Sequence, residues 1–114
     1  MRTVKQLQLT KKEMNAIKEA VRILKEQLPV KEIFLFGSKA RGDSDAESDI
    51  DLLALTHRPV FWEERKQLNN RLYELQLEYD VILSPMLVPE QEWRSGAFSI
   101  LPIHETISQE AVRL

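Results

Sequence analysis

The strongest chemical signal in the chain comes from three aspartates. Asp49 and Asp51 stand two apart at the head of an apolar run that continues to Leu55, and Asp80 follows Tyr79 further along. The run Asp49 to Leu55 reads as a buried strand. Side chains alternate along a strand, so Asp49 and Asp51 leave on one side while Ile50 and Leu52 point to the core. Tyr79 to Leu83 reads as another strand, ended by Ser84-Pro85, and it carries Asp80. If the two strands are neighbours, three carboxylates converge. Like charges a few ångströms apart repel, so such a cluster either takes up protons or binds a cation. Oxygen ligands on rigid strands suit Mg²⁺, and two such ions can clamp the attacking and leaving oxygens of an in-line phosphoryl displacement. The loaded site would be net positive, the sign needed to hold a triphosphate.

The loop ahead of the acids supplies an anion cradle. Gly37-Ser38-Lys39-Ala40-Arg41-Gly42 follows an apolar run directly. Gly37 lets backbone N–H groups approach a phosphate, and Ser38 adds a hydroxyl donor. A helical turn starting after Ser38 would aim its positive end at the same anion. Lys39 and Arg41 are further candidate phosphate partners, and arginine suits forked contacts best. Two other motifs come close and fail. The phosphate-loop pattern would need lysine where Asp43 stands. A calcium loop beginning at Asp43 would need glycine at Ser48 and glutamate at Ala54.

The elements that must position these groups can be read from periodicity. Thr10 and Glu13 form a capping box, with Leu9 and Met14 as a hydrophobic staple, at the head of a helix. Its apolar stripe is Met14, Ile17, Val21, Leu24 and Leu28, and Pro29 marks the exit. Ile33 to Phe36 reads as a buried strand and Gly37 to Ser48 as a loop. A helix is expected from about Phe61 to Leu77, with Trp62, Leu68, Leu72 and Leu75 on one face. The tail reads as a short helix over Glu90 to Ser95 and a last one over Ile100 to Glu110, with Pro102 in its first turn. The fold class is therefore α/β or α+β, a small mixed sheet flanked by helices.

The stretches Phe36-Gly-Ser-Lys-Ala-Arg-Gly-Asp and Ser48-Asp-Ile-Asp-Leu-Leu, with ten residues between Gly37-Ser38 and Asp49, resemble the signature of minimal nucleotidyltransferases. These belong to the DNA polymerase β-like superfamily, and Tyr79-Asp-Val-Ile resembles their third-carboxylate strand. The resemblance spans roughly residues 14 to 110. It implies the polymerase β-like fold, with Asp49 and Asp51 on both Mg²⁺ ions. Asp80 would complete the catalytic metal site and help deprotonate the acceptor. Gly37 and Ser38 would hold the triphosphate of ATP, with Lys39 and Arg41 nearby. Lys39 departs from the family's commoner arginine. Many stand-alone members are antitoxins that pair with a small helical HEPN toxin and transfer AMP to one of its tyrosines.

Bulk properties narrow the alternatives. The 114 residues fit one minimal nucleotidyltransferase domain, residues 1–114, and leave no room for an acceptor domain, so a partner surface or a second copy would supply that wall. A net charge of −2 argues against a general nucleic-acid coat. The chain has no cysteine, no signal-peptide core in Met1 to Thr10 and no apolar run long enough to span a bilayer, which fits a cytoplasmic protein without a membrane segment. Asp43, Asp45 and Glu47 read as solvated loop acids. His57 and His104 lack partners at metal spacing, and Trp62 and Trp93 read as core or interface anchors. Two other functions fit less closely. One is a catalytically silent antitoxin that covers its partner, through the helix at Trp62 or the tail from Trp93 to Leu114. The other is a small-molecule nucleotidyltransferase.

Overall fold

The computed structural model describes residues 7, 9–42 and 48–114. Helix α1, Lys11–Gln27, starts at the expected capping box. Thr10 Oγ1 accepts the Glu13 N–H at 3.1 Å, and Glu13 Oε1 accepts the Thr10 N–H at 2.9 Å. Ile17, Ala20, Ile23, Leu24 and Leu28 form its buried stripe. The chain turns extended at Leu28, as expected of a residue preceding proline.

Strand β1, Val30–Phe36, runs antiparallel to β2, Ile50–Thr56, with Phe36 opposite Asp51. A register shift between Val30 and Glu32 marks a bulge at the far end from the acids. Between them lies α2, the single turn Ser38–Arg41. Helix α3, Trp62–Tyr79, then crosses over to β3, Leu83–Pro89, which pairs parallel to β2. The chain continues through α4 (Glu90–Arg94), a 3₁₀ turn (Ala97–Ile100), α5 (Pro102–Glu110) and β4 (Val112–Arg113). Pro102 occupies the first turn of α5, as expected. Strand β4 pairs antiparallel with β1, giving the order β3-β2-β1-β4.

The sheet is covered on both faces. On one side Ile33, Leu35, Ile50, Leu52 and Ala54 pack with the apolar stripes of α1 and α3. On the other, Leu53, Leu55 and Val88 pack with Trp93, Ile107 and Ala111 from α4, α5 and the segment after it. Strand β2 therefore faces apolar layers on both sides, which explains its unbroken apolar run. Asp51 is the one residue of β2 outside the buried class. Among the described residues, no helix is long and apolar enough to cross a membrane.

The third strand differs from the sequence expectation. Tyr79 is the last residue of α3, and β3 begins at Leu83 and passes through Ser84-Pro85. Two physical features explain the shift. Leu68, Leu72 and Leu75 are buried against the core, with Tyr79 packed on it, so the helix extends as far as its contacts do. Prolines are tolerated in β3 because it is an edge strand. The Ile82 carbonyl accepts the Ile50 N–H, so by alternation Pro85 directs its missing donor away from β2. Trp62 also departs from expectation. It is 69% exposed, off the face that carries the buried leucines, whereas Trp93 is buried.

Leu52→Ala, in the middle of β2, should destabilise the domain by about 3 kcal/mol, whereas Trp62→Ala should change stability by less than ~0.5 kcal/mol. Urea unfolding of both variants checks this. Equal losses at the two sites would contradict the placement of Trp62 on the surface.

Candidate active site

Gly37 ends the sheet ladder of β1 and opens α2. Its φ of 76° lies in a region that favours glycine. Its lack of a side chain matters as well. A β-carbon there would stand 3.1 Å from Asp51 Cγ and overlap the carboxylate oxygen. The Asp51 carboxylate thus rests directly against the Gly37 backbone. The Ala40 and Arg41 N–H groups both donate to the Gly37 carbonyl, at 3.1 and 3.0 Å, which closes the turn. Gly42 ends it in a left-handed conformation, φ 84°, with its N–H on the Ser38 carbonyl.

Asp49 precedes β2 and is exposed, while Asp51 is half-buried. Burial pushes the Asp51 carboxyl above its ordinary value, and the neighbouring Asp49 and Glu110 push it further, against the pull of Arg41. A carboxylate in this setting gains from a cation. Mg²⁺ takes one or two carboxylates and completes its shell with phosphate oxygens and water, so the Asp49–Asp51 pair fits one such ion shared with a triphosphate. Among the described residues, no group of three or more His, Cys, Asp and Glu side chains could hold a metal ion.

Asp80, expected on a strand beside the pair, is the C-cap of α3 instead. It adopts the left-handed conformation, φ 53° and ψ 52°, which aspartate tolerates better than most residues. Its side chain is 99% exposed, and Lys12 Nζ lies 3.7 Å from Oδ2. The β2–β3 register pairs Asp51 with Ser84, and Ile82 lies one step back, beside Asp49. The neighbours of the two acids on this side, Ile82 and Ser84, are therefore not acidic. Asp80 lines a separate cavity of about 560 Å³ with Lys12, Glu13, Ser48, Ile50, Val81 and Ile82.

Lys39 turns inward. Its side chain is 3% exposed and ion-paired with Glu13, the capping-box residue of α1. The ammonium joins α2 to α1 inside the protein. Burial opposes ionisation of Glu13, yet the contacts from Lys39 and Thr10 outweigh it and hold the carboxyl below its ordinary value. Arg41 lies at the surface, with Nη1 3.2 Å from Glu110 Oε2. Glu110 also accepts the Gly37 N–H at 3.2 Å. In the sequence Glu110 is only the end of a helix, and no local pattern announces this contact, because 73 residues separate the partners. Asp43, Asp45 and Glu47 lie outside the described residues.

Residues 17–110 match the family model described as a nucleotidyltransferase domain. A candidate protein adenylyltransferase of Methanocaldococcus jannaschii is 37% identical over 70 residues, which cover 61% of this chain and 69% of that protein. Among solved structures, a toxin–antitoxin with AMP-PNP aligns with a TM-score of 0.59 at 21% identity, over 91% of this chain and 72% of the other. A complex of tri-AMPylated Shewanella oneidensis HEPN toxin with its MNT antitoxin aligns at 0.55 and 18%, over 90% and 70%. At these identities the structural matches establish the fold, a mixed α/β nucleotidyltransferase architecture.

Lys39→Met should cost about 3 kcal/mol, because it leaves Glu13 charged and buried without its partner. Adding Glu13→Gln should recover part of that loss. Denaturant unfolding of the two single variants and the double variant checks the assignment. Full stability of Lys39→Met with loss of nucleotide binding alone would return the lysine to the phosphate site.

Proposed function

Because the chain belongs to the nucleotidyltransferase-domain family, we propose that it is a protein adenylyltransferase that moves AMP from ATP, with Mg²⁺, onto a hydroxyl of a partner protein. The acceptor is a tyrosine of a small HEPN-type toxin, and the outcome is neutralisation of that toxin. The observation that carries this reading is the contact of Asp51 with the Gly37 backbone, with Asp49 two residues away. It brings a cation-binding pair and a phosphate-approachable turn to one place. The likeness to proteins named for adenylyl transfer, and to an antitoxin found with an AMPylated HEPN toxin, supports the choice of nucleotide and acceptor.

In this reading Gly37 and Ser38 receive the triphosphate, and Arg41 offsets its charge from the surface side of the turn. Asp49 and Asp51 hold the ion, which would supply charge neutralisation at the transferring phosphoryl group. The acceptor hydroxyl releases its proton to solvent as its oxygen attacks the α-phosphorus, the bond from that phosphorus to the bridging oxygen breaks, and pyrophosphate leaves in line. The chain's own contribution is positioning and electrostatics, which dominate phosphoryl-type transfer. Lys39 and Asp80 stand outside this set.

A second reading is favoured by one observation, that Ile82, just ahead of β3, and Ser84 within it stand beside the aspartates. A pair without a third acid suits an antitoxin that binds nucleotide and covers its partner without turnover.

Asp49→Asn combined with Asp51→Asn should lower Mg²⁺-dependent labelling of the co-purified partner by α-labelled ATP at least ~100-fold, while Asp80→Asn should stay within about 3-fold of wild type. Intact mass of the partner gives an independent readout. Undiminished labelling by the double variant contradicts the transferase reading of this site. Unlabelled partner in the wild-type complex, with the toxin still neutralised, selects the silent antitoxin.

A further inference from the structure

Glu110 is assigned no role by the reading above, yet it makes the longest-range polar contact at the turn. Its carboxylate accepts the Gly37 N–H at 3.2 Å, and Arg41 Nη1 lies 3.3 Å from Oε1 and 3.2 Å from Oε2. One side chain thus holds the first and last residues of the Gly37–Arg41 turn. We propose that Glu110 is a positioning residue for nucleotide binding, fixing Gly37 and Arg41 in the geometry that receives the triphosphate. The proposal rests on the transferase reading and deepens it.

Sheet register sets the placement of Glu110. Strand β4 pairs antiparallel with β1, Val112 opposite Leu35. Two further steps along the same ladder bring Glu110 opposite Gly37. The residue stands between two anchors, with Ile107 buried in the core and Val112 in the sheet. Its backbone therefore has little freedom, and a short side chain reaches the turn in one geometry. The side chain is only 14% exposed, so its contacts with Gly37 and Arg41 are weakly screened by water.

The Arg41 side chain stays within reach of a ligand, 46% exposed while Glu110 holds it through Nη1. An arginine whose orientation is already set loses less freedom when it grips a phosphate. The same carboxylate adds negative charge near Asp51, which favours a bound cation.

The test measures Mg-ATP affinity of the full chain by titration calorimetry, and KM and kcat for AMP transfer in the co-purified complex. Glu110→Ala should weaken Mg-ATP binding and raise KM about 10-fold, with kcat within ~3-fold and the unfolding midpoint nearly unchanged. Glu110→Gln keeps an oxygen for the Gly37 N–H but loses the charge facing Arg41, so it should fall between wild type and alanine. If Glu110→Ala fails to fold, the glutamine variant decides the matter. Unchanged affinity in the folded variants overturns the proposal. Tighter binding also overturns it, since Glu110 would then compete with the triphosphate for the turn. Absence of Mg-ATP binding by the wild type sinks the transferase reading and this proposal together, whereas wild-type binding with unaffected variants sinks only the role of Glu110.

Discussion

The site depends on a shared space. Where Gly37 would carry a β-carbon, the structure holds an oxygen of Asp51. Strands β1 and β2 meet antiparallel with Phe36 opposite Asp51, so the ladder delivers the carboxylate to the start of the turn. Glycine is required there on two grounds, a backbone conformation that essentially only glycine adopts and the absent side chain. A carboxylate that is half-buried, beside another acid and against a backbone turn, is poorly solvated. Both a cation and the phosphates that accompany it relieve that condition.

Everything around this contact serves to hold it still. The two apolar layers fix β2 from both faces, so the acids sit at the end of a rigid strand. The buried Lys39–Glu13 pair ties the one-turn helix α2 to the capped start of α1. Glu110 ties the same turn to the C-terminal segment. A four-residue helix has little stability of its own, since nucleation fixes several dihedrals for few hydrogen bonds. Side chains that bridge it to α1 and α5 replace the intrinsic stability it lacks.

Much of this was legible in the sequence. The capping box at Thr10 and Glu13, the apolar stripe of α1, the buried run of β2 and the turn after Ser38 are local patterns, and the structure follows them. The departures share a cause. Tyr79-Asp-Val-Ile alternates as a strand would, yet contacts of Leu75 and Tyr79 with the core carry the helix to Tyr79. Lys39 lies in the turn, whereas its direction is set by Glu13, 26 positions earlier. The contact of Glu110 leaves no local pattern for the complementary reason, that its partners are remote in sequence. The strand pairing that unites Asp51, Gly37 and Glu110 is tertiary information, and a single sequence encodes it only indirectly.

The most direct measurement is an anomalous difference map from crystals of the chain grown with Mn²⁺ and a non-hydrolysable ATP analogue. The account predicts a metal peak at the Asp49 and Asp51 carboxylates, with the triphosphate lying along the Gly37–Arg41 turn. A peak centred on Asp80, or a triphosphate bound away from Gly37, would contradict it.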